Sequence, residues 1–213
     1  MFIIDETVFI HLHKCAGTSI HQMLLLERRN DIKFIVNHRS LKNLPPEYKN
    51  YRKIALVRNP LTWYNSFYDY SWRKSKDELQ LVEGLLTKDV SFDTFLNRAL
   101  DFNNFMSPYH RQFRKTLIED HRPMIQDFYS NAQEIEFENT LYRERFETLG
   151  VGGCELFHME TQFQEVMDIL KLKTELKRNV SPNLKIPDIE HQNLILKSDD
   201  KMFDLLGYKK EMI

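Results

Sequence analysis

A lysine and two hydroxyl side chains follow the first apolar run of the chain, and together they have the chemistry of an anion site. The run is Val8-Phe9-Ile10, and the next segment, Lys14–Ser19, reads KCAGTS. An ammonium group, two hydroxyls and backbone N–H groups are donors that hold a phosphate or sulfate. Gly17 has no side chain, so we expect it to let the backbone approach a ligand. The spacing predicts an anion-binding loop made of Lys14, Cys15, Ala16, Gly17, Thr18 and Ser19.

The elements on either side of this loop would position it. The apolar, β-branched run before the loop is typical of a buried strand. Ile20–Arg29 has apolar residues at positions 20, 23, 24 and 26, which predicts a helix packed on a sheet. In a strand–loop–helix order, the first N–H groups and the positive end of the helix dipole converge on one point.

An arginine and a serine farther along the chain form a second pair of anion-binding side chains. Arg58 directly follows the apolar run KIALV at 53–57, and Asn59-Pro60 then turns the chain. Leu61 onward predicts a helix with a proline near its start. Ser66 falls on that helix, eight residues after Arg58. A guanidinium is a permanently charged, bidentate donor and the hydroxyl adds another donor, so a second phosphate site is predicted.

Strands that alternate with helices at this spacing predict an α/β fold with a parallel sheet. A further strand is predicted at Lys33–Asn37 (KFIVN), and His38 follows it. Ligands of parallel sheets gather at the carboxyl ends of the strands. Because Lys14, His38 and Arg58 each follow such an end, we expect them on one edge of the sheet.

The two anion motifs resemble those of a known family. In nucleotide triphosphatases the loop lysine directly precedes the hydroxyl residue, whereas here it precedes the turn, and position 12 is Leu. The chain's FIHLHKCAGTS instead resembles the 5′-phosphosulfate loop of sulfotransferases that use 3′-phosphoadenylyl sulfate (PAPS). That loop commonly reads F-I-H-x-P-K-x-x-G-T-S in Golgi-type carbohydrate sulfotransferases, so His13 stands where the family usually has proline. The segment from Arg58 to Ser66 resembles the family's 3′-phosphate motif, R-[DN]-P-x(5)-S.

This resemblance implies a single domain over residues 1–213, with a P-loop-NTPase-like parallel sheet flanked by helices and a helical insertion. The implied reaction moves a sulfuryl group from PAPS to a hydroxyl or amine of a small-molecule or carbohydrate acceptor, and releases adenosine 3′,5′-bisphosphate. The resemblance implies no essential metal, since Lys14 would supply the counter-charge on the leaving phosphate. A P-loop-type kinase for a small molecule or nucleotide, and a non-catalytic nucleotide-binding relative, stay open as alternatives.

The acceptor's proton needs a base, and histidine is the natural candidate near neutral pH. His38 is favoured because several Golgi-type relatives place a catalytic histidine at the corresponding position. His11 matches a family position that is usually structural, and His13 occupies the proline position. A carboxylate such as Glu160 stays open, and so does a strand-end role for His38 with a bond to backbone.

Two other segments resemble the family less specifically. Lys177–Lys185 (KRNVSPNLK) is similar to the family's last cofactor loop, in which Asn179 and Ser181 would close over the nucleotide; a polar linker is the alternative. Phe102–Arg114 resembles the variable acceptor region, where His110, Arg111 and Arg114 are acceptor-binding candidates or a solvated face. Further predicted elements are helices at 91–100, Gln126–Arg145, Thr161–Leu170 and Asp199–Tyr208, and a strand at Glu155–Met159.

Composition excludes several classes of protein. The chain has 30 Lys and Arg against 31 Asp and Glu, so its formal charge of −1 predicts no broad affinity for nucleic acid. Cys15 and Cys154 make neither a disulfide framework nor a zinc pattern. No secretory signal is apparent, and no run approaches the roughly 18 apolar residues of a membrane helix. These features lead us to expect a cytoplasmic protein without a membrane span.

Overall fold

The computed structural model describes residues 1–27, 31–35, 39–74, 90–102, 140–174 and 186–213. These residues form five strands: β1 (Phe2–Ile4), β2 (Thr7–Ile10), β3 (Ile32–Ile35), β4 (Arg52–Val57) and β5 (Glu155–His158). They also form seven α-helices: α1 (Gly17–Glu27), α2 (Pro60–Lys74), α3 (Phe92–Leu100), α4 (Leu141–Thr148), α5 (Met159–Ile169), α6 (Ile189–Ser198) and α7 (Asp200–Leu206). None of these helices has the length and apolar character needed to span a bilayer.

The chain divides into two compact units. Among the described residues, the first unit contains 1–27, 31–35, 39–58 and 145–174 and therefore holds all five strands. The second unit contains 59–74, 90–102, 140–144 and 186–213, where the regular elements are helices.

The sheet is mixed, in the order β3-β1-β2-β4-β5. The prediction of parallel strands is confirmed for β2, β4 and β5, which pair in parallel. It is wrong for β1, which is antiparallel to both β2 and β3. The two residues Asp5-Glu6 connect β1 to β2, and Asp5 adopts the left-handed φ of +49° that such a tight reversal uses. A strand this short, with three apolar residues in a row, carries no alternating pattern by which to recognise it.

The inserted strand leaves the direction of β3 unchanged, because two antiparallel pairings restore it. The carboxyl ends of β2, β3, β4 and β5 therefore lie on one edge of the sheet, as the sequence predicts for the strands that precede Lys14, His38 and Arg58. Strands are spaced about 4.8 Å apart, so β3 lies roughly 10 Å from β2, with β1 between them.

The predicted elements agree with the structure at most positions and differ at their ends. The helix predicted from Ile20 begins three residues earlier, at Gly17. The helix predicted after Ser91 is confirmed as α3, and the Ser91 hydroxyl accepts a hydrogen bond from the backbone N–H of Thr94. The strand predicted at Glu155–Met159 corresponds to β5. The helices predicted at Thr161–Leu170 and Asp199–Tyr208 correspond to α5 and α7, whereas α6 was not predicted.

In the second unit, α2 is held by two buried contacts that fix its first two turns. The Trp63 ring stacks on Tyr142 of α4, with ring centroids 4.3 Å apart and planes 4° apart. The Tyr64 hydroxyl donates to Oδ2 of Asp199 at 2.5 Å, and the Thr140 hydroxyl donates to the other carboxylate oxygen at 2.5 Å. All of these side chains are buried, so α2 is part of the core of this unit.

Candidate functional site

The loop between β2 and α1 has a backbone that alternates in handedness. Lys14 and Ala16 have left-handed φ angles of +61° and +60°, whereas φ is negative at Cys15 and at Gly17. A left-handed backbone costs an L-residue roughly 1–2 kcal/mol, so two such residues two positions apart need a compensating cause. Alternation of this kind is the pattern of an anion-binding nest, in which successive N–H groups turn toward one point. In this loop the N–H of Cys15 donates to the Leu12 carbonyl oxygen at 3.4 Å. The predicted anion loop thus has a backbone geometry that suits a phosphate or sulfate.

The start of α1 adds donors to this loop. The backbone N–H groups of Ser19 and Ile20 donate to the Ala16 carbonyl oxygen at 2.9 and 3.2 Å. Because the helix begins at Gly17, the N–H groups of Gly17 and Thr18 have no helical carbonyl one turn earlier to accept them. The positive end of the helix dipole lies at the same place, which favours an anion there.

Gly17 packs against His11, the residue that directly follows β2. His11 is buried, with 3% of its surface exposed, and its ring lies 5.8 Å from the ring of Phe2. A Cβ atom added to Gly17 would lie 1.8 Å from Cδ2 of His11 and 2.3 Å from Cγ. Close packing on His11 is therefore sufficient to account for the glycine, and the ligand approach expected from the sequence stays a prediction.

Arg58 connects the end of β4 to the loop. It is buried, with 7% of its surface exposed, and its Nη1 donates to the backbone carbonyl oxygen of Lys14 at 3.3 Å. This bond places a guanidinium directly beside the loop that carries the lysine. The structure thus brings together Arg58 and residues 14–19, which the sequence assigned to two separate motifs.

The side chains of the loop divide into inward and outward groups. Cys15 is buried and its thiol donates to the carbonyl oxygen of His13 at 3.4 Å, which agrees with a space-filling role. Ser19 is buried as well, whereas Thr18 is exposed and Lys14 is partly exposed. Lys14 and Thr18 are thus the loop side chains with the most access to a ligand.

The second motif divides between the two units. The Asn59 side chain accepts from the backbone N–H of Leu61 at 2.9 Å, so Asn59 caps α2. The helix begins at Pro60, one residue before the predicted start at Leu61. Ser66 lies on α2 in the second unit and is buried, with 4% of its surface exposed. Arg58 belongs to the first unit, with the loop.

Several predicted site residues lie outside the described residues. These are the proposed base His38, the cofactor-loop residues Asn179 and Ser181, the acceptor candidates His110, Arg111 and Arg114, and residues 126–139 of the predicted acidic helix. Their roles stay predictions.

The sheet adds one candidate base that the sequence reasoning did not single out. His158 is the last residue of β5, and it lies opposite Val57, the residue before Arg58, in the parallel pairing. It is partly exposed at the same edge of the sheet as the loop. Its place one residue before the end of the predicted strand ELFHM is the signal by which the sequence could have identified it.

Known proteins provide no relative from which a function could be transferred. No protein-family model, curated protein or solved structure matches this chain. Its function is therefore inferred from its own residues and their geometry.

A cavity of about 470 Å³ lies at the opposite edge of the sheet, lined by Glu6, Thr7, Asn50, Tyr51 and Arg52. Its strongest polar groups already have protein partners. Arg52 makes a bidentate bond to Glu155 at 2.9 Å, and the Tyr51 hydroxyl accepts from Lys33 at 2.7 Å. We assign no ligand to this cavity, and the loop remains the candidate site.

Proposed function

We propose that this chain is a sulfotransferase that moves a sulfuryl group from PAPS to a hydroxyl or amine of a small-molecule or carbohydrate acceptor. One observation carries the proposal: the loop between β2 and α1 alternates in handedness at Lys14 and Ala16 while Arg58 bonds to its backbone. A P-loop-NTPase-like core with a helical insertion, in one domain over residues 1–213, is part of the same proposal.

The residues of the loop fit the 5′-phosphosulfate end of PAPS. The nest and the start of α1 would bind its oxygens through backbone N–H groups, and the Lys14 ammonium would add a full positive charge. When bound, PAPS supplies the sulfuryl group and a phosphate leaving group. Lys14 would neutralise the charge that develops on that phosphate, which stabilises the transition state more than the ground state.

Arg58 and Ser66 would bind the 3′-phosphate, as the motif predicts. A guanidinium has five N–H donors, so a single bond to the Lys14 carbonyl is compatible with a bidentate bond to a phosphate. His38 would accept the proton of the acceptor, and Asn179 and Ser181 would contact the nucleotide.

Binding of adenosine 3′,5′-bisphosphate, the product of the proposed reaction, tests the assignment without knowledge of the acceptor. A ligand that binds only the native state raises the melting temperature by mass action. We expect a larger rise with adenosine 3′,5′-bisphosphate than with adenosine 5′-monophosphate, because only the former has the 3′-phosphate. The expected order does not require magnesium.

Two results would count against the proposal. Equal shifts of the melting temperature with the bisphosphate and the monophosphate would contradict the assignment of a 3′-phosphate site. A shift with ATP and magnesium that exceeds the shift with the bisphosphate would favour a kinase instead.

A further inference from the structure

We infer that His11 is a positioning residue of the anion loop, and that residue 17 must be glycine because the His11 imidazole fills its side-chain space. The ligand in this inference rests on the proposed function, whereas the packing itself does not. A positioning role of this kind makes two residues act as one unit, so their substitutions should not be additive.

The position of His11 supports this role. It follows the last residue of β2, which pairs in register with β4, so its backbone is fixed by the sheet. Its ring is buried and lies against Phe2 of β1 on one side. The ring therefore has little freedom to move away from the loop.

The contact with Gly17 transmits that fixed position to the helix start. A Cβ at residue 17 would overlap Cδ2 of His11 at 1.8 Å, far below any distance that real Cβ atoms show. Because φ at Gly17 is negative, the backbone conformation does not itself require glycine there. Of the physical reasons for glycine at this position, close packing on His11 is the one that the structure displays.

The contact between His11 and Gly17 also constrains the left-handed residues that lie between them. The loop leaves β2 at His11 and enters α1 at Gly17, so contact between these residues fixes both ends of a five-residue connection. Lys14 and Ala16 adopt their left-handed angles inside that connection. If Gly17 is displaced, the N–H groups of the nest no longer point at one place, and anion affinity falls.

A four-protein cycle tests this inference: wild type, Gly17→Ala, His11→Ala and the double variant His11→Ala/Gly17→Ala. The dissociation constant for adenosine 3′,5′-bisphosphate is measured by calorimetry, and stability by the urea midpoint. We expect Gly17→Ala to weaken binding at least tenfold and to lower the midpoint. The double variant should bind at least threefold more tightly than Gly17→Ala, because removal of the ring makes room for the new methyl group. This recovery of affinity would show that the loss in Gly17→Ala comes from the clash with the His11 ring, since a methyl group that meets the ligand would weaken binding in both backgrounds.

Gly152→Ala is the matched control in the same unit, because its Cβ would meet Phe146 at an ordinary 3.4 Å. It should leave both readouts near wild type. If Gly17→Ala does not fold, the comparison of His11→Ala with the double variant carries the test. The double variant should then have the same urea midpoint as His11→Ala, and its dissociation constant for adenosine 3′,5′-bisphosphate should lie within twofold of that of His11→Ala.

Equal losses from Gly17→Ala in the wild-type and His11→Ala backgrounds would overturn the inference and return the glycine to ligand approach. Absence of bisphosphate binding in the wild type would contradict the proposed function instead. In that case the urea midpoints of the same four proteins still decide whether His11 and Gly17 act as a unit.

Discussion

The Arg58 side chain is hydrogen-bonded to the backbone of Lys14: its Nη1 donates to the Lys14 carbonyl oxygen at 3.3 Å. The buried guanidinium therefore has one observed contact and one proposed role. It supports the loop that carries the lysine, and it is the predicted ligand of the 3′-phosphate. These two roles make different predictions for binding.

Arg58→Ala should weaken adenosine 3′,5′-bisphosphate and adenosine 5′-monophosphate alike if support of the loop dominates. It should weaken only the bisphosphate if the 3′-phosphate contact dominates. We expect both affinities to fall, with the larger loss for the bisphosphate, because an arginine–phosphate bond is charge-assisted. Calorimetry measures the loss of affinity for each of the two nucleotides. Unchanged affinity for both nucleotides would contradict both roles of Arg58.

Lys14→Ala should reduce turnover far more than nucleotide affinity, since its ammonium is proposed to act on charge that develops in the transition state. The measurement needs an acceptor, found by a screen with labelled donor. A loss of affinity with unchanged turnover would show that the lysine binds the ground state instead.

Ala16→Gly should raise the free energy of unfolding by about 1 kcal/mol, because glycine adopts the φ of +60° without the steric cost that alanine has there. The greater flexibility of the unfolded chain offsets part of the gain. Ala16→Val should have the opposite effect, since a β-branched side chain is strongly disfavoured at this angle. Urea unfolding of the three proteins gives the order, and a more stable valine variant would rule out strain at this residue.

Gly150→Ala should destabilise the first unit by about 1–2 kcal/mol or more, because φ is +70° and the new Cβ would lie 3.1 Å from Cβ of Leu41. Gly152→Ala, two residues later, meets only an ordinary contact and should be close to neutral. Equal urea midpoints for the two variants would contradict this explanation.

The Asp199 carboxyl should make stability fall as pH rises. Burial raises its pKa from the ordinary 3.8 to about 6, although bonds from Thr140 and Tyr64 act in the opposite direction. The folded protein therefore holds this proton between about pH 4 and 6 while the unfolded chain has lost it, and stability declines through that range. The gap between the two pKa values corresponds to roughly 3 kcal/mol.

Asp199→Asn keeps an acceptor and a donor at the same place without a proton to lose, so its stability should lack this decline. The free energy of unfolding of both proteins between about pH 4 and 7 provides the measurement. Parallel curves for wild type and variant would show that Asp199 does not titrate in this range.

His38→Ala should lower turnover by about 10²–10⁴-fold, the usual contribution of a general base, with bisphosphate binding nearly unchanged. The rise in rate that accompanies deprotonation of an imidazole should disappear from the pH profile. His158→Ala, at the end of β5, is the comparison. If its loss exceeds that of His38→Ala, the base is His158.

The sequence determined much of the local architecture. The β-branched runs predicted β2 and β4, Asn59-Pro60 predicted the start of α2, and Ser91 predicted the cap of α3. Each of these features depends on neighbours within a few residues, so composition and spacing suffice to locate them. The residues of the predicted anion loop likewise belong to one contiguous segment, and their ligand stays a prediction.

The tertiary structure alone decided three features, two of which join residues far apart in the chain. It placed β1 between β2 and β3. This position depends on strand pairings that cannot be recognised from three consecutive apolar residues. It put the Arg58 guanidinium on the Lys14 carbonyl, a contact across 44 residues. It also showed that the space at Gly17 is filled by His11, and the sequence could not show this because glycine serves backbone freedom, ligand approach and close packing equally well.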